Sequence, residues 1–326
     1  MLISLCFAVL LVYLSRVKLR QYFRGAQFTE NVSAKKKVAI VTGGSGGIGS
    51  RIACELNKRG AKVYLFCRNV EKAKRVVKAL VNDDGAVASR LIVIECDFTK
   101  LATVRSAVEY FQSRETRVDI LVNNAGIWSG GPYCTLTNDG NETLWQSNYL
   151  GHFLLTQLLL PQLQYSSAAR VINVSSVCNW WADNVAKDTV YAMEKYCPKW
   201  RTYCRSKLAQ VMHAVAMTNY IREVDPNSRI TFNSCHPGCV ETDLVRTLPL
   251  CSNMPNVLMK LRQFFLKTEN DGAQTPLFLA LSSEVEGVSG KYFNEMKEAG
   301  THPLAYDLDA CETLFEESLN ACWLRK

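Results

Sequence analysis

No two of the thirteen cysteines stand in Cys-x-x-Cys spacing, and their number is odd. That argues against a disulfide framework and against a zinc site, so no metal is expected. The thiols read instead as small buried apolar groups of a reducing compartment. No basic stripe interleaved with aromatics runs through the chain, although the formal net charge is +8. Nucleic acid is therefore not an expected partner. Internal repetition is also absent beyond an alternation of apolar runs and amphipathic stretches. What remains is a 326-residue chain, 48% hydrophobic, with ample material for one large core.

Met1 to Leu14 carries no charged side chain. Fourteen residues make about 21 Å of helix, against roughly 30 Å of bilayer hydrocarbon. Basic residues follow this run rather than precede it: Arg16, Lys18, Arg20, Arg24, Lys35, Lys36 and Lys37 face only Glu30. No Ala-x-Ala cleavage pattern is present. Residues 1–15 thus read as an uncleaved membrane anchor and 16–36 as a basic linker on the cytosolic side. A cleaved signal peptide is the alternative, and only then would Asn31 and Asn141 be glycosylation acceptors.

From Lys37 onward, strand and helix patterns alternate. Val38-Ala39-Ile40-Val41 is a continuous β-branched run of the kind a buried parallel strand requires. It enters Thr42-Gly43-Gly44-Ser45-Gly46-Gly47-Ile48-Gly49 and then an amphipathic helix. A strand, a glycine turn and a helix N-terminus together suit a pyrophosphate. The second strand, Lys62 to Cys67, is followed by Arg68, with no acidic residue between Val63 and Val70. An acidic side chain there would hold the ribose hydroxyls of NAD; a guanidinium suits a 2′-phosphate, so NADP is favoured.

Further strands are expected at Leu91–Cys96, Val118–Val122, Val171–Val174, Ile230–Cys235 and Lys291–Phe293. Asn123-Asn124-Ala125-Gly126 follows one of them, and a long helix from about Asn141 to Leu163 carries the polar Asn148. Tyr203 and Lys207 are four apart and share a helix face. An ammonium beside a phenol favours the phenolate, which makes such a tyrosine an acid/base candidate. Tyr191 and Lys195 repeat the spacing, but Pro198 would interrupt a helix continuing from them.

With Thr42-Gly43-x-x-x-Gly47-Ile48-Gly49, Asn123-Asn124-Ala125-Gly126, Asn148, Ser176, Tyr203-x-x-x-Lys207 and Pro237-Gly238 in this order, the chain resembles the short-chain dehydrogenase/reductases over residues 37–295. Cys67-Arg68-Asn69, the run Ser147 to Thr156 and His236-Pro237-Gly238 are similar to the retinol-dehydrogenase-like branch, which includes membrane-anchored enzymes acting on lipid alcohols and carbonyls. The resemblance implies Asn148, Ser176, Tyr203 and Lys207 as catalytic tetrad. Ser176 would hold the carbonyl oxygen and Tyr203 exchange the proton. Lys207 would lower the tyrosine pKa and hold the nicotinamide ribose, and Asn148 would position a water. Ser175 should point to the opposite side of the strand. Gly43, Ser45, Gly47, Ile48, Gly49, Arg68, Asn124, Ala125, Gly126, Pro237 and Gly238 would line the cofactor, with Asp97 at the adenine and Val240 and Thr242 at the carboxamide. The 26 residues between Ser176 and Tyr203 exceed the usual family spacing, as an insert at 177–202 would explain.

The expectation is a Rossmann-type α/β domain over 37–326, doubly wound around about seven parallel strands, with a substrate lid at 244–268. It would be an oxidoreductase interconverting an alcohol and a carbonyl with NADP(H), or with NAD(H) as the second choice. The substrate would be apolar, of retinoid, polyprenoid or steroid class. Attachment through the N-terminus would face the domain to the cytosol at the endoplasmic reticulum, and a homodimer is compatible. A non-catalytic NADP-binding scaffold of the same fold is the rival reading.

Overall fold

The computed structural model describes residues 14–128, 134–183, 185, 199–242 and 256–324. Strands β1 (Val38–Thr42), β2 (Lys62–Cys67), β3 (Leu91–Glu95), β4 (Ile120–Asn123), β5 (Arg170–Val174), β6 (Thr231–His236), β7 (Tyr292–Asn294) and β8 (Lys297–Glu298) form one sheet. Their order is β3-β2-β1-β4-β5-β6-β7-β8. Seven strands are parallel as expected, and β8 adds an antiparallel edge. The reversal into β8 runs through Glu295 and Met296 at φ 51° and 60°. Neither residue type advertises a left-handed turn, so the sequence carried no signal for that hairpin.

Both faces of the sheet are covered, which is why the strands are continuously apolar. Val38, Ile40, Tyr64 and Phe66 point to one side, against Phe111, Phe153 and Leu208. Ala39, Val41, Val63 and Leu65 point to the other, against Ile52, Leu56 and Leu277. The covering helices are α2 (Gly47–Lys58), α3 (Val70–Asp84), α4 (Leu101–Gln112), α5 (Gly151–Leu158), α6 (Leu160–Gln164), α7 (Lys199–Val224), α8 (Asn256–Phe265), α9 (Glu269–Leu281) and α10 (Leu308–Ala321). An N-terminal helix, α1 (residues 14–24), precedes them.

The single helix expected from Asn141 to Leu163 is divided. A turn at Thr143–Trp145 opens into a π-turn at Gln146–Leu150, and α5 and α6 follow. Strand β4 starts at Ile120 rather than Val118, because the Val118 N–H bonds to the Gln162 carbonyl and not to a strand. The basic stretch expected as a linker is helical over 14–24 and rests on α8 and α9. Arg20 donates to the carbonyls of Phe264 and Leu266 at 3.1 and 2.9 Å. Arg24 pairs with the buried Asp271 at 2.9 Å. No described helix is long and apolar enough to cross a membrane, and residues 1–13 lie outside the described ones. Tyr191, Lys195, Pro198 and the part of the expected lid before Asn256, residues 244–255, also lie outside them.

Candidate active site

The carboxyl ends of β1, β4 and β5 converge on one crevice, and a single hydroxyl ties two of them together. Thr42 Oγ1, at the end of β1, accepts from the backbone N–H groups of Asn124 and Ala125 at 2.8 Å each. The Asn124 amide returns a bond to the Thr42 carbonyl at 2.9 Å. Gly43 adopts φ +69°, and a Cβ there would lie 2.9 Å from the Ala125 Cα. A Cβ on Gly49 would lie 2.5 Å from Asn124 Nδ2. The start of α2 is thus pressed against both strand ends, an approach that only glycine permits. Helix α2 has neither a capping side chain nor an acid in its first turn. Its N-terminal amides suit an anion. Burial pushes the Cys67 thiol, beside Ser45, up to about 11. Ile48 is partly buried against the core beneath this turn.

Arg68 is exposed just beyond β2. Asn69 caps α3 by accepting from the Lys72 N–H at 2.8 Å. That cap brings the Lys72 ammonium beside the turn, 3.7 Å from where a Gly46 Cβ would be. Sequence reasoning misses Lys72. A cation in the first helical turn opposes the helix dipole, and that mismatch was the available signal. Asp97 is partly spent on structure, since its Oδ1 accepts from the Thr99 N–H and hydroxyl at 3.1 and 2.8 Å.

Asn148 sits on the π-turn and is fully buried. Its Oδ1 accepts from the Ile127 N–H at 2.8 Å, and its Nδ2 donates to the Ile127 carbonyl at 3.1 Å. The buried amide therefore has partners on both sides, as burial demands. π-turns interrupt helices at functional sites, and here the extra residue turns Asn148 toward the loop after β4. Behind it, His152 meets Thr42 Oγ1 at 2.9 Å and the Asn148 carbonyl at 3.2 Å. Gln210 donates to that same carbonyl at 2.5 Å. Burial pulls His152 down to about 3, so it is neutral. Sequence reasoning misses His152 and Gln210 as supports; the spacing Asn148, His152, Thr156 on one helix face was the clue.

Strand β5 delivers the two serines to opposite sides. Ser175 is buried and donates to the Lys207 carbonyl at 2.6 Å. Ser176 accepts from the Cys178 N–H at 3.2 Å, and its hydroxyl lies on the side of the Tyr203 phenol where it favours the phenolate. Tyr203 lies in the second turn of α7, and the edge of Trp128 meets its ring at 5.2 Å between centroids. Lys207, one turn on, places its ammonium 5.7 Å from the centre of that ring and donates to the Val174 carbonyl at 3.0 Å. Burial pulls Lys207 down to about 8. Burial also pushes Tyr203 up, and charge on Cys178 adds to this, while the Ser176 hydroxyl works the other way. The lowering by Lys207 that the spacing suggests is not the dominant influence, because the ammonium lies over the ring rather than against the hydroxyl.

Gly126 leaves a small space between these groups. A Cβ there would lie 3.4 Å from Lys207 Nζ and 3.7 Å from Asn148 Oδ1. Beyond β6, Gly238 turns with φ +88°, and Val240 is buried and bridges to Lys267. Thr242 then approaches the glycine turn, its methyl 3.6 Å from a would-be Gly47 Cβ. Pro237 precedes Gly238 where the chain leaves β6, and the Val177 N–H donates to His236 at 3.2 Å. One crevice thus holds the glycine turn, the Asn123–Gly126 segment, the serine–tyrosine–lysine group and the Pro237–Thr242 return. A nicotinamide dinucleotide fits these donors: α2 amides for phosphate and spare N–H groups on Lys207 for ribose hydroxyls.

A parallel sheet with a glycine turn and a hydroxyl pair beside a buried lysine defines a nucleotide-dependent oxidoreductase of Rossmann type. A family model for short chain dehydrogenases matches residues 37–250, and the chain belongs to that family, whose members act on CH–OH groups. It lies in the retinol-dehydrogenase-like branch. It is 35% identical to human retinol dehydrogenase 12 over 316 residues, 96% of this chain and 95% of that protein. It is 36% identical to mouse retinol dehydrogenase 13, over 93% of this chain and 88% of that one. Among solved structures, an uncharacterized protein from Mycobacterium paratuberculosis superposes with a TM-score of 0.71 at 24% identity, covering 92% of this chain and 98% of its own. A short chain dehydrogenase of Shigella flexneri complexed with NADP gives 0.61 at 21% identity, over 82% of this chain and all of that one.

Proposed function

We propose that the chain interconverts an alcohol and a carbonyl on an apolar, lipid-like substrate with NADP(H), NAD(H) being the poorer cofactor. The observation that carries this reading is the buried Lys207 ammonium, 5.7 Å from the Tyr203 ring centre and bonded to the Val174 carbonyl two residues before Ser176. Ser176 and Tyr203 hold the substrate oxygen. Tyr203 gives its proton to that oxygen in reduction and takes it back in oxidation. The bound nicotinamide supplies or accepts the hydride. Below about pH 8 Lys207 is a cation, and its charge offsets the phenolate left on Tyr203. Asn148 fixes the loop that carries Gly126, and a water in the space there would bond both Oδ1 and Lys207.

Arg68 and Lys72 support NADP, since both bring positive charge to the place where a 2′-phosphate would lie. Similar folds crystallised with NADP or NADPH are consistent with it. Relatives named retinol dehydrogenases support an apolar substrate of retinoid, polyprenoid or steroid kind.

A membrane position is part of the proposal, with residues 1–15 as anchor and the domain on the cytosolic side of the endoplasmic reticulum. Helix α1 continues the apolar segment and leaves Leu14, Leu19 and Tyr22 exposed. Its Phe23 meets Phe265 of α8 at 4.9 Å, and its Arg16 lies over Phe264 at 5.7 Å. The end of the lid helix is therefore fastened to the segment nearest the bilayer. The test is a panel of apolar alcohols and carbonyls with both cofactors, using the full chain in detergent. Turnover with NADPH on lipid-like carbonyls is expected. Tight NADPH binding with no turnover across the panel would favour a binding-only protein.

A further inference from the structure

His152 is fully buried on α5, and its ring reaches two parts of the crevice wall at once. Its Nε2 lies 2.9 Å from Thr42 Oγ1, at the end of β1. Its Nδ1 lies 3.2 Å from the Asn148 carbonyl, in the π-turn. Phe98 covers the ring, with centroids 4.4 Å apart and planes tilted by 34°. The proposed hydride chemistry gives this ring no role.

The hydrogens available fix how the ring is used. A hydroxyl has one hydrogen to donate and two lone pairs with which to accept. Both lone pairs of Thr42 Oγ1 are taken by the Asn124 and Ala125 N–H groups, at 2.8 Å each. Its hydrogen goes to His152 Nε2, which is nearer than the Val122 carbonyl at 3.4 Å. Because Nε2 accepts, the neutral ring carries its proton on Nδ1 and donates it to the Asn148 carbonyl. Gln210 donates to the same oxygen at 2.5 Å. The opposite tautomer would aim a third donor at Thr42 Oγ1 and a lone pair at the Asn148 carbonyl. An imidazolium would repeat the first fault, and burial, which pulls His152 down to about 3, disfavours it further. The other three histidines are arranged the other way round. His213, His236 and His302 each accept an N–H at Nδ1, all at 3.2 Å, so their protons sit on Nε2.

We propose that His152, as the Nδ1–H tautomer, is a positioning residue with two separable duties. Its Nε2 holds the cofactor turn through Thr42, and its Nδ1–H holds the Asn148 segment through the backbone carbonyl. Without an acceptor at Nε2, the Thr42 hydrogen must turn to the Val122 carbonyl, and the lone pairs leave the Asn124 and Ala125 N–H groups. That loosens the close approach of Gly43 to Ala125 beside the crevice. Without the Nδ1 hydrogen, Gln210 alone of these two side chains holds the Asn148 carbonyl. The Asn148 side chain then loses part of what aims it at Ile127.

Two substitutions divide the duties. An Asn side chain reproduces the Nδ1 position and can donate there, but it does not reach Thr42. A Gln side chain reproduces the Nε2 position and can accept there, but it leaves the Asn148 carbonyl without its donor. His152→Asn should weaken NADPH binding at least about fivefold, the scale of one buried polar group left unpaired, and change kcat at saturating NADPH less. His152→Gln should lower kcat at least about fivefold and change NADPH affinity less. A residue that only fills the core would move both quantities together in both variants.

The kcat comparison rests on the proposed function, whereas affinity and tautomer do not. NADPH affinity is read by fluorescence titration of the full chain in detergent. The tautomer is read by two-bond proton–nitrogen NMR of the wild type labelled with 15N-histidine, near pH 8, where histidines are neutral. One of the four rings should show its unprotonated nitrogen coupled to both carbon-bound ring protons, the mark of the Nδ1–H form, and that signal should vanish in His152→Asn. If no carbonyl is turned over, the proposed function fails, and affinity and tautomer still decide the positioning role. If neither variant folds, the wild-type spectrum decides it. Four rings all protonated on Nε2, or equal changes of affinity and kcat in both variants, would each overturn the proposal.

Discussion

Asn148 grips both polar groups of Ile127, accepting from its N–H at 2.8 Å and donating to its carbonyl at 3.1 Å. One side chain thereby fixes the loop after β4 to the π-turn, and with it the space beside Gly126 that Lys207 also borders. Replacing Asn148 by Ala leaves the Ile127 groups without these partners, at a cost of about 1–3 kcal/mol. Turnover should fall around 10²-fold through misplacement of the loop. Steady-state kinetics alongside thermal melting checks both, and the loss in kcat should exceed any rise in cofactor KM.

On the proposed reading, Arg68 and Lys72 set the cofactor choice. Changing Arg68 to Asp should move the NADPH-to-NADH ratio of kcat/KM toward NADH by at least about tenfold, or 1.4 kcal/mol. Lys72→Glu should add to that shift, because the Lys72 ammonium lies beside the glycine turn, 3.7 Å from where a Gly46 Cβ would be. Binding titrations with both cofactors measure it, and unchanged ratios would remove these residues from the site.

Lys207 is held down to about 8 by burial. Carbonyl reduction should be flat below that pH and decline above it as the ammonium is lost. His152 and His213 are each pulled by burial to about 3 from the ordinary 6.5. The unfolded chain then binds more protons below pH 6.5 than the folded one. Stability present above pH 6.5 is therefore lost as the pH falls, by about 1.4 kcal/mol per pH unit for each histidine. Melting temperature against pH between 7.5 and 5 follows this loss.

Much of the fold was legible where chemistry and periodicity agree. Val38 to Val41 had to be a doubly buried strand, and Lys62–Cys67 occupies the expected bounds. The separation of Ser175 from Ser176 followed from strand alternation alone. Other features depended on distant partners. The break in the helix around Asn148 depends on packing. A Cβ on Gly151 would strike Phe98 at 2.6 Å, so the π-turn ends where two elements come close. Helix α10 escapes a reading of the sequence although Cys311, Leu314, Phe315 and Ser318 are buried at helical spacing, with Asp307 as cap. Trp128 against the Tyr203 ring gave no local signal, since only the folded loop after β4 brings them together.

The central claim is that Tyr203 exchanges the proton. The measurement that tests it most directly compares wild type with Tyr203→Phe for NADPH-dependent carbonyl reduction and, separately, for NADPH binding by fluorescence titration. Turnover should fall by at least about 10²-fold, the lower bound for a positioned acid, while NADPH affinity stays within about twofold. A Tyr203→Phe variant that still reduces carbonyls at the wild-type rate would contradict the account.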